Sequence, residues 1–273
     1  MSQNEKAMAD ASQTTSRDRS ESTSTNPKDI ERVQPKQNTS LLHYLNSDVN
    51  PAETTWPMAA YCFMTGYMQV LALALARLFE GAPGFRDQTF HKADQQALCS
   101  LLSFQFGAFL GRIGDRVGAQ KRSWLIAGTF LQGLLGMAAA IAFWKSGQPS
   151  LSGERELPAW TNALTFVGLA FMSASLGLQG IQAKRLNTQF GTTIVLTTVW
   201  VELVTDPGLF KLRKRVMTRD HRFIAAGALF LGAFVGRAIL AKVGTAGTMG
   251  ISVGFRVIIA LSWMFVPGKP PRA

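Results

Sequence analysis

Six apolar runs follow one another in this chain with only short polar connections between them: residues 58–79, 97–113, 123–144, 159–182, 222–243 and 247–266. Each is about 17–24 residues long, enough to cross a ~30 Å hydrocarbon core as a helix rising 1.5 Å per residue. A single run of this kind can be a buried core helix. Six in succession, with no alternating strand pattern between them, predict an all-α fold, a polytopic transmembrane bundle in which each segment satisfies its own backbone. Lipid is then the first partner of the chain.

The charge distribution supports that reading. Charged residues make up only 16% of the chain and hydrophobic ones 47%, against roughly a quarter charged in soluble domains. Residues 1–57 carry eight acidic and six basic side chains, net −2, whereas the remainder carries nine acidic and 22 basic, net +13. The basic residues cluster between apolar runs, as "RIGDRVGAQKR" at 112–122, "KR" at 184–185 and "KLRKRVMTRDHR" at 211–222. Positively charged cytoplasmic loops account for this without a nucleic-acid partner. The expected organisation is a disordered, polar, cytoplasmic tail over 1–57, a transmembrane domain over 58–266 and a short C-terminal tail over 267–273. The first fifty residues hold no apolar segment of signal-peptide type, so the first span is expected to direct insertion.

One segment is ambiguous. "TTIVLTTVWVELV", 192–204, is apolar but carries four threonines and Glu202, and thirteen residues reach only about 20 Å as helix. If it crosses, there are seven spans, and the basic loops at 112–122 and 211–222 fall on opposite sides. If it dips in and returns, there are six, and every basic cluster shares one side with both termini. The positive-inside tendency favours six, with both termini cytoplasmic.

"FGAFLGR" at 106–112 returns as "LGAFVGR" at 231–237. With six spans the two copies lie on helices of opposite direction, the arrangement of an inverted repeat, whose substrate site falls near the midplane between the halves. Each copy contains GxxxG (Gly107 and Gly111, Gly232 and Gly236), and Gly250 and Gly254 form a third. Such pairs let helices approach closely, either within the chain or between copies in a homo-oligomer. Arg112 and Arg237 sit near helix ends and can snorkel. Arg256, mid-way along 247–266, is too deep for that, and Glu202 is its expected partner, in a structural ion pair or in a substrate or proton site.

"GLQGIQAKRLNTQFGTTIVLTTVWVEL", 177–203, resembles the signature of the YoaK-like family of membrane proteins of unknown function, through Gly177, Leu178, Gln179, Arg185, Thr192, Thr193, Leu196 and Thr197. "LLSFQFGAFLGRIGDRVG" and "WLIAGTFLQGLLGMAAAI" are similar to its middle helices, and "NPAETTWPMAAYCFMTGYM", 50–68, to the start of its fungal members. The resemblance covers roughly 48–266 and implies a polytopic membrane protein without an assigned activity. The chain departs from the pattern twice. Gly180 and Ile181 stand where the family has Asn-Ala, and the first half is about 15–20 residues short before its second helix.

No enzyme chemistry is legible. "GISVG" at 250–254 fits GxSxG, but no strand precedes it and no Asp, Glu or His follows Ser252. His43, His91 and His221 form no ligand pattern, and Cys62 and Cys99 read as small apolar fillers, so no catalytic residue, metal or cofactor is expected. The expectation is a small-solute transporter whose pathway gathers Gln179, Gln182, Arg185, Thr193, Thr197, Glu202 and Arg256. The alternative is a non-transporting scaffold or accessory protein, for instance in a fungal metabolite pathway.

Overall fold

The polypeptide satisfies its backbone almost wholly within helices. The computed structural model describes residues 41–76, 92–147, 162–188, 190, 201–206 and 217–269. The helices are α1 (Leu41–Leu45), α2 (Thr55–Ala76), α3 (Lys92–Gly111), α4 (Ile113–Val117), α5 (Arg122–Ser146), α6 (Ala163–Arg185) and α7 (Met217–Ser262). No strand occurs among the described residues, only isolated bridges pairing Asp48 with Lys121 and Val49 with Gly268. Four helical stretches (94–117, α5, α6 and α7) are long and apolar enough to cross a membrane by length and composition.

The helix boundaries follow local chemistry. Asn50 caps the short 3₁₀ turn Pro51–Glu53 by accepting a hydrogen bond from the Ala52 amide at 3.2 Å. Pro57 lies in the first turn of α2, where a missing N–H removes no helical bond. α5 ends at Gly147 in the left-handed conformation, φ 62°. α7 is broken at Gly244, φ 74° and ψ −177°, a backbone state open to glycine and strongly disfavoured for other residues. That break is a reversal: Tyr67 meets both Gly236 and the Thr248 carbonyl, 2.9 Å away, on either side of it.

Side-chain contacts fix the direction of each helix. α2 runs parallel to the first arm of α7, since Thr55 reaches His221 at 3.3 Å while Phe63 and Tyr67 meet Gly232 and Gly236. α3 runs parallel to α6: Cys99 Sγ lies 3.7 Å from the Phe166 carbonyl, and Gly111 meets Ile181. α5 is antiparallel to α6, with Gln182 Nε2 donating to the Trp124 carbonyl at one end and Asn162 Nδ2 to the Ser146 carbonyl at the other. α5 is antiparallel to the second arm of α7 as well, Arg122 reaching the Trp263 carbonyl while Gly136 faces Ser252. Counting the arms separately, six helical passes alternate in direction.

The two glycine phrases lie at equivalent crossings. A Cβ on Gly107 would collide with the Ala174 carbonyl, and one on Gly177 with the Phe104 carbonyl. Likewise a Cβ on Gly232 would collide with the Phe63 carbonyl, and one on Gly66 with the Leu229 carbonyl. Adding 111 to Phe63 and Gly66 gives Ala174 and Gly177, and adding 125 to Phe104 and Gly107 gives Leu229 and Gly232. A third set lies between α5 and the second arm of α7. Gln132 bonds Arg256 and Gly136 faces Ser252, related by an offset of 120. Contacts that map onto one another while matched helices point oppositely define an internal pseudo-two-fold, an inverted repeat. The offset rises from 111 to 125, so the second half holds 14 more residues between its first two matched helices.

The remaining glycine pair differs. Gly250 and Gly254 are exposed, and a Cβ on either would meet nothing within 4 Å. They make no close approach inside the chain, because their face of α7 points outward with Ile251, Val257 and Ile258.

Both chain-terminal segments sit at one end of the bundle, the basal end. Residues 41–54 pack there, and α2 begins at Thr55. Arg122, fully buried, ties the segments together. It donates to the carbonyls of Tyr44 (2.9 Å), Trp263 (3.3 Å) and Val266 (2.5 Å) and to Ser47 Oγ (2.9 Å), and its guanidinium stacks 3.8 Å over the Tyr44 ring. The apolar start of α2 and the end of α7 supply the covering that the tail's own composition lacks. Residues 1–40 lie outside the described residues.

Candidate functional site

Polar side chains in the bundle interior concentrate between α2, α5, α6 and the second arm of α7. Tyr61 is the hub, its hydroxyl 2.6 Å from Thr129 Oγ1 and 3.3 Å from Gln182 Oε1. Gln182 Oε1 also accepts from Gln132 Nε2, and Gln132 Oε1 accepts from Arg256 Nη1. Ser175 Oγ donates to the Gln132 carbonyl at 3.1 Å. Gln179 Nε2 donates to the Tyr61 carbonyl (3.0 Å) and to Thr65 Oγ1 (2.8 Å). None of these side chains is more than 2% exposed. Polar groups so deeply buried must be hydrogen-bonded or carry a large desolvation penalty. The network meets that demand except at three atoms: Arg256 Nη2, Gln179 Oε1 and Trp263 Nε1 have no partner.

The residues expected on a solute pathway divide. Gln179, Gln182 and Arg256 come together in this cluster. Arg185 does not: at the basal end it forms an exposed ion pair with Asp115, 2.7 Å. Glu202 is likewise basal, 3.5 Å from Arg222, which also holds Asp206 at 2.9 Å. The expected Arg256–Glu202 pair is therefore corrected. Glu202 pairs with Arg222 at the basic start of α7, and the Arg256 partner is the neutral amide of Gln132. Thr193 and Thr197 lie outside the described residues. Phe190, 5.0 Å from the His221 ring, and Asp206 both sit beside the start of α7.

Tyr61, Thr129, Gln132 and Trp263 escaped the sequence reading. Gln132 carried a signal, a lone amide within the apolar run 123–144. Tyr61 and Trp263 carried none, because aromatic residues at helix ends read as interfacial anchors.

The pseudo-two-fold exposes an asymmetry in the cluster. Polar Tyr61, Gln179, Thr129 and Arg256 have as symmetry mates Met172, Met68, Met249 and Gly136, and Ser175 has Met64. These four methionines are all buried in the hydrophobic core. The cluster thus lies on the basal side of the axis and a methionine layer on the other. Arg256, six residues from the basal end of α7 and eleven from Thr245, is basal of the midplane.

Ser252, in the fortuitous GxSxG, donates to the Met249 carbonyl at 2.6 Å within the helix. That bond and its 1% exposure leave no strand-to-helix elbow or accessible nucleophile there.

A family model described as a protein of unknown function, DUF1275, matches residues 60–262. The chain belongs to this family. The match begins one residue before the Tyr61 hub and ends where α7 ends, so the polar cluster and both glycine crossings fall within it, except for Trp263. No curated protein and no solved structure matches the chain. With its long apolar helices, this family member is a multi-pass membrane protein of uncharacterised function.

Proposed function

We propose that this protein is a six-pass transporter or permease of the YoaK-like kind, from its fungal branch, without enzymatic activity. It carries a small solute through the interface of its two inverted halves. The observation that carries the reading is the buried polar cluster beside the pseudo-two-fold axis, built from both halves and containing an arginine without a carboxylate partner among the described residues. Inverted-repeat carriers bind solute at such an interface, and ionisable groups inside membrane helices line solute or proton paths. Of the described lysines and arginines other than Arg256, nine lie at the basal end and four at the other, which supports cytoplasmic termini.

One observation favours the alternative, a non-transporting scaffold: the cluster is closed and largely self-satisfied. Solute uptake by proteoliposomes containing the full chain distinguishes the two. The carrier reading expects saturable uptake of some solute class, reduced at least about 10-fold by Arg256→Gln, as for loss of a charged hydrogen bond, and unchanged by Arg185→Ala. Absence of uptake across anionic, cationic and neutral panels would leave the scaffold.

A further inference from the structure

We infer that the region around the Tyr61 hydroxyl, between α2, α5 and the second arm of α7, is a binding site for a small monovalent carboxylate. The inference deepens the carrier reading and rests on it for the route by which the ligand enters.

The donor and acceptor inventory points to an anion. Arg256 is 2% exposed, and its recorded partner is a neutral amide oxygen, which leaves Nη2 free. Every described acidic side chain lies in a connection or within the first turn of a helix, and those with ion pairs hold Arg185, Arg219 or Arg222. The cluster therefore holds one positive charge with no acid opposite it among the described residues. A buried charge of this kind is strongly disfavoured unless it is neutralised. Trp263 adds a second donor beside the Tyr61 hydroxyl, its Nε1 fully enclosed and its ring 5.9 Å from that of Tyr61. A carboxylate has one negative charge and two oxygens, enough for the donors of Arg256 and Trp263 together. A phosphate would bring a second charge with nothing to balance it, and a halide offers a single point of contact.

The packing beside Arg256 is looser than at the glycine crossings. At the two glycine crossings a Cβ would strike backbone, but at Gly133 and Gly136 the nearest atoms to a Cβ are 3.7 Å away, among them Arg256 Cβ. The seam between α5 and the second arm of α7 is thus the looser of the glycine-lined contacts, and Arg256 stands in it.

The test uses the full chain purified in detergent, with unfolding followed by a thiol-reactive dye that reports exposure of buried Cys62. Sodium acetate and propionate are compared with acetamide, chloride and phosphate at matched ionic strength. Acetate and propionate are expected to raise the unfolding midpoint saturably, above the shift from chloride or phosphate, with acetamide inactive. Arg256→Gln should abolish the shift while its midpoint without ligand stays at or above that of the parent. Trp263→Phe, which keeps the aromatic contact, should weaken the apparent affinity about 10-fold, as for loss of a charge-assisted hydrogen bond. Equal shifts with chloride or acetamide, no shift with acetate, or a shift that survives Arg256→Gln would each overturn the site. Carboxylate binding without carboxylate uptake in vesicles keeps the site and removes the carrier reading. Uptake of a neutral or cationic solute without any carboxylate shift does the reverse.

Discussion

The two sides of the pseudo-two-fold axis are built from the same helices at matched positions, yet one is a hydrogen-bonded network and the other is methionine. Tyr61, Gln179 and Thr129 on the basal side correspond to Met172, Met68 and Met249 on the far side. What the halves share is the backbone arrangement set by Gly107 with Gly177 and by Gly232 with Gly66. What they do not share is chemistry. Repetition thus specifies how helices cross, while divergence at the axis specifies what the interior can bind. Methionine suits the far side because an unbranched thioether repacks readily, whereas hydrogen-bonded amides hold one geometry.

The largest effects are expected where the halves still agree. Gly107→Leu and Gly232→Leu both place a side chain against a carbonyl of the crossing helix. Backbone cannot yield as a flexible side chain does, so each should lose about 3 kcal/mol or more, the upper range for overpacking. Reversible unfolding in mixed micelles would measure both losses, and similar values are expected. A large loss at one with tolerance at the other would end the claim of equivalent crossings.

Next in size is the basal latch, which has no counterpart at the far end among the described residues. Arg122→Ala removes hydrogen bonds to three carbonyls and a hydroxyl in a buried setting. About 3 kcal/mol is expected, since several buried acceptors lose their donor together. Limited proteolysis should then release the segment 41–54, and an unchanged cleavage pattern would separate the latch from that segment's docking.

Exchanging chemistry across the axis sharpens the contrast. Met68→Gln puts an amide where its mate Gln179 has partners but Met68 has none recorded, at a cost of about 1–3 kcal/mol. Arg256→Met should be near neutral or stabilising, because a buried charge with one neutral partner adds little to the fold. If Arg256→Met proved strongly destabilising, the arginine would be a structural element and not a ligand group.

How much of this was visible in the amino acids depends on which contact is asked about. The helical character of the apolar runs was legible because length and hydrophobicity act locally, and four of the described helical stretches are long and apolar enough to cross a membrane. The inverted hand was expected from the basic clusters, since 112–122 and 211–222 could be compared without knowing any contact. Arg185 and Asp115 indeed meet at one end. The pairing of Arg256 was not legible. Glu202 was the complementary charge available, but 54 residues and a chain reversal separate the two, and the nearer partner in space was an amide on another helix. GxxxG spacing was equally undiscriminating. It is identical at 107/111 and 250/254, and only the packing shows that the first meets a neighbouring helix while the second faces outward. Spacing places small residues on one face of a helix; which face is covered is decided by the other helices.

The smallest expected effect tests that last distinction. Gly250→Ala adds a methyl group that meets nothing within 4 Å, and it relieves the poor helix propensity of glycine. A gain of up to about 1 kcal/mol follows from propensity alone. The same substitution at Gly107, where a Cβ meets the Ala174 backbone, should destabilise instead. Opposite signs for one chemical change within the same motif would show that the motif acts through what it touches. A loss at Gly250 in a lipid bilayer, absent in detergent monomers, would instead reveal a second copy of the chain packed on that face.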